Sequence, residues 1–371
     1  MRRRHFFLRD RRLEIFAQTI DFARYPRAFF CADFLLVRYT FAMSLESKLI
    51  DMLSAGVVCS GTEIGNQLGI SRVAVKKRIS SLIELGLPVT ALPGKGYCLE
   101  SEADLLSESQ VLEIIPKSFN DQIERVEVHQ SLPSTNEYLR DNGLSVSGKA
   151  SVVLAESQSG GKGRRGRGWA TTPYRNLMLS VAWRYEHWPA NPAALSLAFA
   201  ISVHQAIVNS GAEQAVIKWP NDILLNGGKL AGLLVEAGGE ASGACDLVFG
   251  VGVNFYIDSD TGKQIDQNWA HLASVASADK SRNRMAGNIL ANLIEALNLY
   301  ESDGFAPFAE YWNANAAYVG QRVRLFNDDN EYQGVLKGVD ETGVLILEGL
   351  DSKTHRFTQA DISLRPLDPV G

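Results

Sequence analysis

Cysteine is scarce in this chain. Cys31, Cys59, Cys98 and Cys245 are spread over 371 positions and form no CxxC pair, which argues against a disulfide framework and a zinc ribbon alike. The six histidines are equally scattered, without HxxxH or HExxH spacing. No run of 18 apolar residues occurs, so no transmembrane helix is predicted and no membrane partner is expected. Excess positive charge is lacking too. The net charge is −5, so any affinity for nucleic acid has to come from a local patch. Neither a GxxxxGK(S/T) phosphate loop nor a GxGxxG turn placed directly after a strand is found, and no internal repeat intervenes. What remains is a chain long enough for two or three domains, of ordinary globular composition and expected to be cytoplasmic.

The first 42 residues stand apart. They hold nine Arg and no Lys, and the apolar stretch 28–42 is interrupted by Asp33 and Arg38 with no small-residue cleavage site after it, a poor match to a secretory signal. Met43 then opens MSLESKLIDML, which reads as an ordinary protein start. Residues 1–43 are therefore set aside as an atypical extension, and 1–42 are expected to precede the natural start.

Residues 44–105 read as a winged helix-turn-helix. Leu45, Leu49, Ile50 and Leu53 recur at helical spacing. Ser60 and Glu63 have capping-box spacing, and Gly69–Ile70–Ser71 forms a turn whose serine caps the next helix. That helix is expected to run from Arg72 to Leu85, with Val75, Ile79, Leu82 and Ile83 inward and Arg72, Lys76, Lys77 and Arg78 outward. Two strands around Pro93–Gly–Lys–Gly96 follow as a wing carrying Lys95. The candidate DNA contacts are Ser71, Arg72, Lys76, Lys77, Arg78 and Lys95, because a helix enters the major groove while cations near it neutralise phosphates. The segment holds six basic and seven acidic residues, so the bland alternative is a small helical domain with a solvated cationic face.

The chemistry concentrates in residues 106–317, a mixed α/β region. The stretch from Ala155 to Trp169 interleaves glycines with Lys162, Arg164, Arg165 and Arg167. Backbone and guanidinium groups in such a loop suit a polyphosphate, although a surface loop or an RNA-binding patch has the same composition. Lys218–Trp–Pro–Asn–Asp222 lies between two apolar β runs and is expected to present Lys218, Asn221 and Asp222 at a hairpin tip. Lys229 begins another apolar strand. Phe249–Gly–Val–Gly–Val–Asn254 is a strand with alternate glycines, which leaves one face free for something planar. Residues 318–371 alternate apolar and polar positions between turns at 327–330 and 340–343, as in a small SH3-like β-barrel.

Taken in order and spacing, Gly-Lys-Gly-Arg-Arg-Gly-Arg, Lys-Trp-Pro-Asn-Asp, Lys-Leu-Ala-Gly and Gly-Val-Gly-Val-Asn resemble the biotin–protein ligases. With the helix-turn-helix in front, the chain is similar to the bifunctional type that also represses biotin-synthesis genes. The resemblance covers Ser44 to the C-terminus. It implies a multidomain α+β fold: winged helix-turn-helix, catalytic domain of the biotin/lipoate ligase type and SH3-like barrel.

The resemblance also implies residue roles. Ser134, Thr135, Asn136, Gln158, Gly161, Lys162, Gly163, Arg164, Lys229, Gly232, Gly250 and Gly252 would hold biotin. Arg164, Arg165, Arg167, Trp169, Lys218, Asn221, Asp222, Asn254 and Trp269 would hold ATP and the adenylate, with Trp169 flanking the adenine and the loop from Asp258 to Trp269 ordering over it. Lys162 departs from the family, which has Arg there; the charge is kept and the planar fork is lost.

The implied reaction joins biotin's carboxylate to the α-phosphorus of ATP, and an acceptor lysine then attacks the mixed anhydride. Lys229, Arg164 and Arg165 are the catalytic candidates, neutralising charge as anion meets anion. ATP, Mg²⁺ and biotin, here both substrate and corepressor precursor, are the expected small molecules. No magnesium ligand is fixed, with Asp222 a candidate. The expected partners are the biotin carboxyl carrier protein of acetyl-CoA carboxylase, operator DNA and a second copy of the chain in a homodimer when adenylate is bound. Alternatives are a ligase without an operator, a biotin-sensing regulator without ligase activity, and a lipoate-type ligase.

Overall fold

A computed structural model describes residues 45, 48–53, 57–100, 104–142, 146–239, 243–327, 330–350, 353–358 and 362–367. The expectations for residues 1–42 and for the middle of the 327–330 turn lie outside the described residues.

A helical segment at 48–53 precedes α1 (Gly61–Leu68) and α2 (Arg72–Glu84). Ser60 and Glu63 form the capping box, each side chain bonding the other's backbone, and Ser71 Oγ accepts from Ala74 N to start α2. Gly69 closes α1 at φ +67°, a conformation that favours glycine. Leu49, Leu53, Ile64, Val75, Ile79 and Leu82 make a small core. Ile83, expected inside, is 40% exposed, because the packed stripe of α2 runs 75–79–82 and position 83 rotates off it. The wing is the antiparallel pair β1 (Val89–Leu92) and β2 (Gly96–Leu99), with Lys95 exposed at its tip. Gly96 has to be glycine, since a Cβ would lie 2.2 Å from the Cys59 carbonyl oxygen that pairs with Tyr97.

The central domain is built on seven strands in the order β3-β4-β5-β9-β8-β7-β6, antiparallel except for β3 and β4. They are β3 (Ile123–His129), β4 (Ala150–Ala155), β5 (Leu177–Tyr185), β6 (Ala215–Lys218), β7 (Asp222–Leu225), β8 (Gly228–Gly238) and β9 (Cys245–Val253). Pleating sends Phe249, Val251 and Val253 to one face and Val248, Gly250 and Gly252 to the other. The first set joins the main core under α3 (Glu108–Ile114), α5 (Leu195–Asn209) and α7 (Arg282–Asp303). On the other face α4 (Thr135–Asp141) packs Leu139 against Val153, Ala182 and Val248. Beyond α4 that face is floored by glycine, which is where the cleft opens. Among the described residues one helical stretch, Pro192–Asn209, is long and apolar enough to cross a bilayer, but 67% of it is buried as the core helix of this sheet.

After α6 (Ser259–Lys263), α7 and α8 (Ala306–Asn315), five antiparallel strands in the order β13-β12-β11-β10-β14 form the small C-terminal β domain of SH3-like type. These are β10 (Arg322–Asn327), β11 (Asn330–Val339), β12 (Leu345–Gly349), β13 (Thr354–Phe357) and β14 (Ile362–Pro366). The expected turn at 340–343 is present: Asp340 Oδ1 accepts the amides of Thr342 and Val344.

Candidate active site and recognition helix

The cleft has a volume of about 990 Å³ and is lined from seven stretches of the chain, 134–136, 158–170, 218–222, 229–234, 250–252, 264–267 and 364–365. Its seat is the start of α4, where Ser134 caps the helix by accepting from Glu137 N and brings Thr135 and Asn136 over the sheet. Gln158, reached from the end of β4, turns back to this seat, its Oε1 accepting Thr135 N at 2.7 Å. The loop through 161–168 makes one wall. Its letters 161–166 spell GxGxxG, yet β4 ends at Ala155 and no α-helix opens from the loop, so it is no dinucleotide turn. The hairpin β6–β7 makes the facing wall, with Lys218, Asn221 and Asp222 at its tip as expected. The C-terminal sheet adds Arg365.

The glycine face is not vacant. Trp169 lies flat on it: a Cβ on Gly252 would meet the indole Nε1 at 2.3 Å, and one on Gly232 would meet Cζ3 at 2.8 Å. A Cβ on Gly250 would meet Asn136 Oδ1 at 2.1 Å. The planar occupant of the strand is thus this chain's own indole, whose Nε1 is buried without a partner. Lys229 places its Nζ 5.3 Å from the centre of that ring and 2.7 Å from Asp222 Oδ1. Arg164 reaches from the loop to the hairpin, donating from Nη1 to Asn221 Oδ1 at 3.1 Å. Burial pushes the Lys218 ammonium below the usual lysine range, with Asp222 opposing. Cations from three elements therefore converge on one partly buried volume.

Two expected contacts sit differently. Trp269 does not line the cleft; its ring packs on Gly262 and edge-on to His271, while the backbone beside it pairs with Lys229. Asn254 is 3% exposed, its Nδ2 donating to the Lys229 and Ala270 carbonyls, so it clamps the 258–269 loop to β8 from behind. Its Oδ1 is buried and unpartnered. Lys162 turns its ammonium to Glu137 at the rim, and this hydrogen bond holds the Glu137 carboxyl below its ordinary value. Among the described residues no group of three or more His, Cys, Asp or Glu gathers as a metal site, and Asp222 already holds Lys229. No protein-held magnesium site is assigned.

Several residues of the site carry no local sequence signal. Ser180 on β5 is fully buried between Thr135 and Asn136. Glu236 on β8 accepts from Asn136 Nδ2 at 2.8 Å and from Arg140 Nη1 at 3.1 Å. Thr172 Oγ1 donates to Asp258 Oδ2 at 2.9 Å and ties the start of α6 to the segment after the glycine-arginine loop. Only the alternation of β5 and β8 could have placed Ser180 and Glu236 on the cleft side of the sheet.

On the winged helix, Arg72, Val73, Lys76 and Lys77 form the exposed face of α2. Arg78 is half-buried beside the core stripe, so the outward cations are fewer than expected. The domain is joined to the cleft by residues 172–176. Tyr174 is 3% exposed within the winged-helix core, Arg175 Nη2 lies 3.3 Å from Glu100 Oε2, and Asn176 Oδ1 accepts the amides of Phe255 and Tyr256. The buried pair Arg282–Glu156, 2.5 Å apart, fastens the incoming chain, since Glu156 also accepts Leu106 N.

A mixed sheet carrying a glycine-floored, cation-rimmed cleft, preceded in the chain by a winged helix and followed by a small β domain, is the frame of a biotin/lipoate-type protein ligase. Residues 128–254 match the Biotin/lipoate A/B protein ligase family, 46–98 an HTH domain, and 318–365 the Biotin protein ligase C terminal domain. The chain is 36% identical over 319 residues to the bifunctional ligase/repressor BirA of Escherichia coli, covering 86% of this chain and 96% of that protein. It is 30% identical over 325 residues to the protein of the same name from Bacillus spizizenii, covering 86% and 99%. In fold it is similar to the biotin protein ligase from Aquifex aeolicus in complex with biotin and ATP, with a TM-score of 0.55 at 23% identity over 66% of this chain and 99% of that one. The chain belongs to the family of bifunctional ligase/repressors.

Proposed function

We propose that this protein condenses biotin with ATP to biotinyl-5′-AMP, transfers the biotin to a lysine of a biotin carboxyl carrier protein, and represses transcription in response to biotin. The observation that carries the ligase reading is the single cleft in which the Thr135–Gln158 seat, the glycine floor and Lys229 meet. Biotin's carboxylate and the α-phosphate repel each other. Lys229, Arg164 and Arg165 are the residues assigned to offset that charge, in a site where water is largely displaced. Lys218, Arg167 and Arg365 line the same volume and suit the β- and γ-phosphates. Trp169 gives a planar partner for the adenine. The 258–269 loop, held by Thr172 and Asn254, limits hydrolysis of the anhydride. Mg²⁺ is expected to enter with ATP. We place the activity in the cytoplasm.

For the repressor, Arg72, Lys76, Lys77 and Lys95 would contact phosphates while Ser71 and Val73 face base edges. A homodimer formed with adenylate bound would read two half-sites about 34–36 Å apart. The 172–176 segment supports ligand control, since it is bonded to α6 at Thr172 and buried in the winged helix at Tyr174. Incorporation of labelled biotin into a carboxyl carrier domain with ATP and Mg²⁺ tests the ligase. Transfer to the carrier lysine is expected. Folded protein that forms no adenylate would overturn the reading.

A further inference from the structure

We propose that Glu236 and Ser180 are positioning residues for biotin: they fix the direction of the hydrogens around Thr135, so that the seat offers acceptors to a ligand N–H. The proposal rests on the ligase reading and deepens it.

A count of hydrogens leads there. Glu236, paired with Arg140, is a carboxylate that can only accept, and it takes Asn136 Nδ2 at 2.8 Å. The Asn136 amide cannot flip without setting oxygen against oxygen, so its Oδ1 faces Ser180 Oγ at 2.5 Å. An amide oxygen has no hydrogen to give, hence Ser180 donates. The Ser180 and Thr135 hydroxyl oxygens are 2.6 Å apart, a distance that requires a hydrogen between them. Ser180 has already committed its own, so Thr135 supplies it. Ser180 is fully buried, and Thr135 and Asn136 are 4% and 5% exposed, which leaves little room for water to substitute.

Thr135 Oγ1 is then an acceptor toward the cleft. Gln158 Oε1, satisfied by the Thr135 backbone amide, lies 3.0 Å from it. Two acceptors at that separation with no hydrogen between them repel, and a ligand N–H reaching both relieves the repulsion. The cyclic urea of biotin carries two N–H groups. Gly250 permits the relay, because any Cβ there would occupy the place of Asn136 Oδ1.

The test is biotin binding by calorimetry, without ATP, on the full chain and on Glu236→Gln, Ser180→Ala and Arg140→Ala. Biotin methylated at each ureido nitrogen in turn serves as the second probe. Glu236→Gln keeps size and lets Asn136 flip; it and Ser180→Ala are expected to weaken biotin about tenfold. Both should also lose most of the discrimination against the methylated probe, with kcat and the KM for ATP unchanged. Arg140→Ala, which leaves the Glu236–Asn136 bond in place, is expected to bind biotin within about twofold of the parent. Variants that weaken biotin and both methylated probes by one common factor, or that leave all three unaltered, overturn the positioning role while the ligase reading stands. A parent chain that binds no biotin overturns both.

Discussion

Lys229→Ala should separate catalysis from binding. The Lys229 ammonium sits 2.7 Å from Asp222 and 5.3 Å from the Trp169 ring centre, with its side chain 18% exposed. Two effects follow from removing it. The first is loss of a cation at the point where two anions must meet, typically worth about 3–4 kcal/mol, or a factor of about 10²–10³ in rate. The second is exposure of the Asp222 carboxylate, which then repels the incoming phosphate. At about 4 Å and an effective dielectric constant of about 20 that repulsion approaches 4 kcal/mol, and partial hydration of Asp222 reduces it to roughly 1–2 kcal/mol. Biotin-dependent ATP–pyrophosphate exchange should therefore fall about 10³–10⁴-fold in Lys229→Ala. The Lys229→Ala/Asp222→Asn double variant should recover about tenfold of that. Biotin affinity, measured without ATP, should change by less than about threefold in both. If exchange and biotin binding fall together, Lys229 is a binding or packing residue. If the second substitution restores nothing, the Asp222 pair plays no part in the chemistry.

Three other outcomes are expected. Glu156→Ala strands Arg282 among buried groups and should lower unfolding free energy by about 3–5 kcal/mol in denaturant titrations; a loss under about 1 kcal/mol would show the clamp to be redundant. His204, buried with its Nε2 on the Ala215 carbonyl, has its pKa lowered by burial from the ordinary 6.5, so it folds as the neutral ring. Its contribution is thus full above pH 6.5 and is lost as pH falls from there toward the folded value, with a slope of at most about 1.4 kcal/mol per pH unit. Thermal unfolding between pH 5 and 8 should show this fall and His204→Gln should flatten it; an identical pH profile in the variant would refute the assignment. Lys76→Ala and Arg72→Ala should each reduce the slope of log binding constant against log salt by about 1 on operator DNA, and an unchanged slope would remove these residues from the interface.

The parts of this fold that could be read in advance are those governed by neighbours in sequence. Ser60 and Glu63 are three residues apart, and the capping box they spell is closed in the structure. The wing, the Trp-Pro-Asn-Asp hairpin and the alternate glycines of β9 are equally local, set by turn chemistry and the two-residue pleat. The inward position given to Ile83 shows the limit of such reasoning. Helical spacing names a stripe, but its width depends on what packs against it, and the small winged-helix core reaches 75–79–82 and stops. Gly250 and Gly252 were legible as open positions, whereas their occupants, Asn136 and Trp169, arrive from more than 80 residues away.

The least legible features are those that join the domains, and the reason is physical. Tyr174 has a positive φ of 58° and is buried in the core of another domain, so neither its propensity nor its neighbours foretell it. Glu156 and Arg282 lie 126 positions apart, and each looks like an ordinary surface charge until the sheet and α7 bring them together. A charge in such a pair has to find its partner or be destabilising by several kcal/mol, so its burial is decided by the whole fold. Motifs marked the cleft because its lining clusters on short loops. The residues that orient that lining, Ser180 and Glu236, lie on strands with no motif, since what they need is a register across the sheet: Ser180 opposite Gly250, and Gly250 opposite Leu234, two residues before Glu236. A shift of either strand by one residue would turn the serine or the glutamate to the opposite face and leave Asn136 unheld.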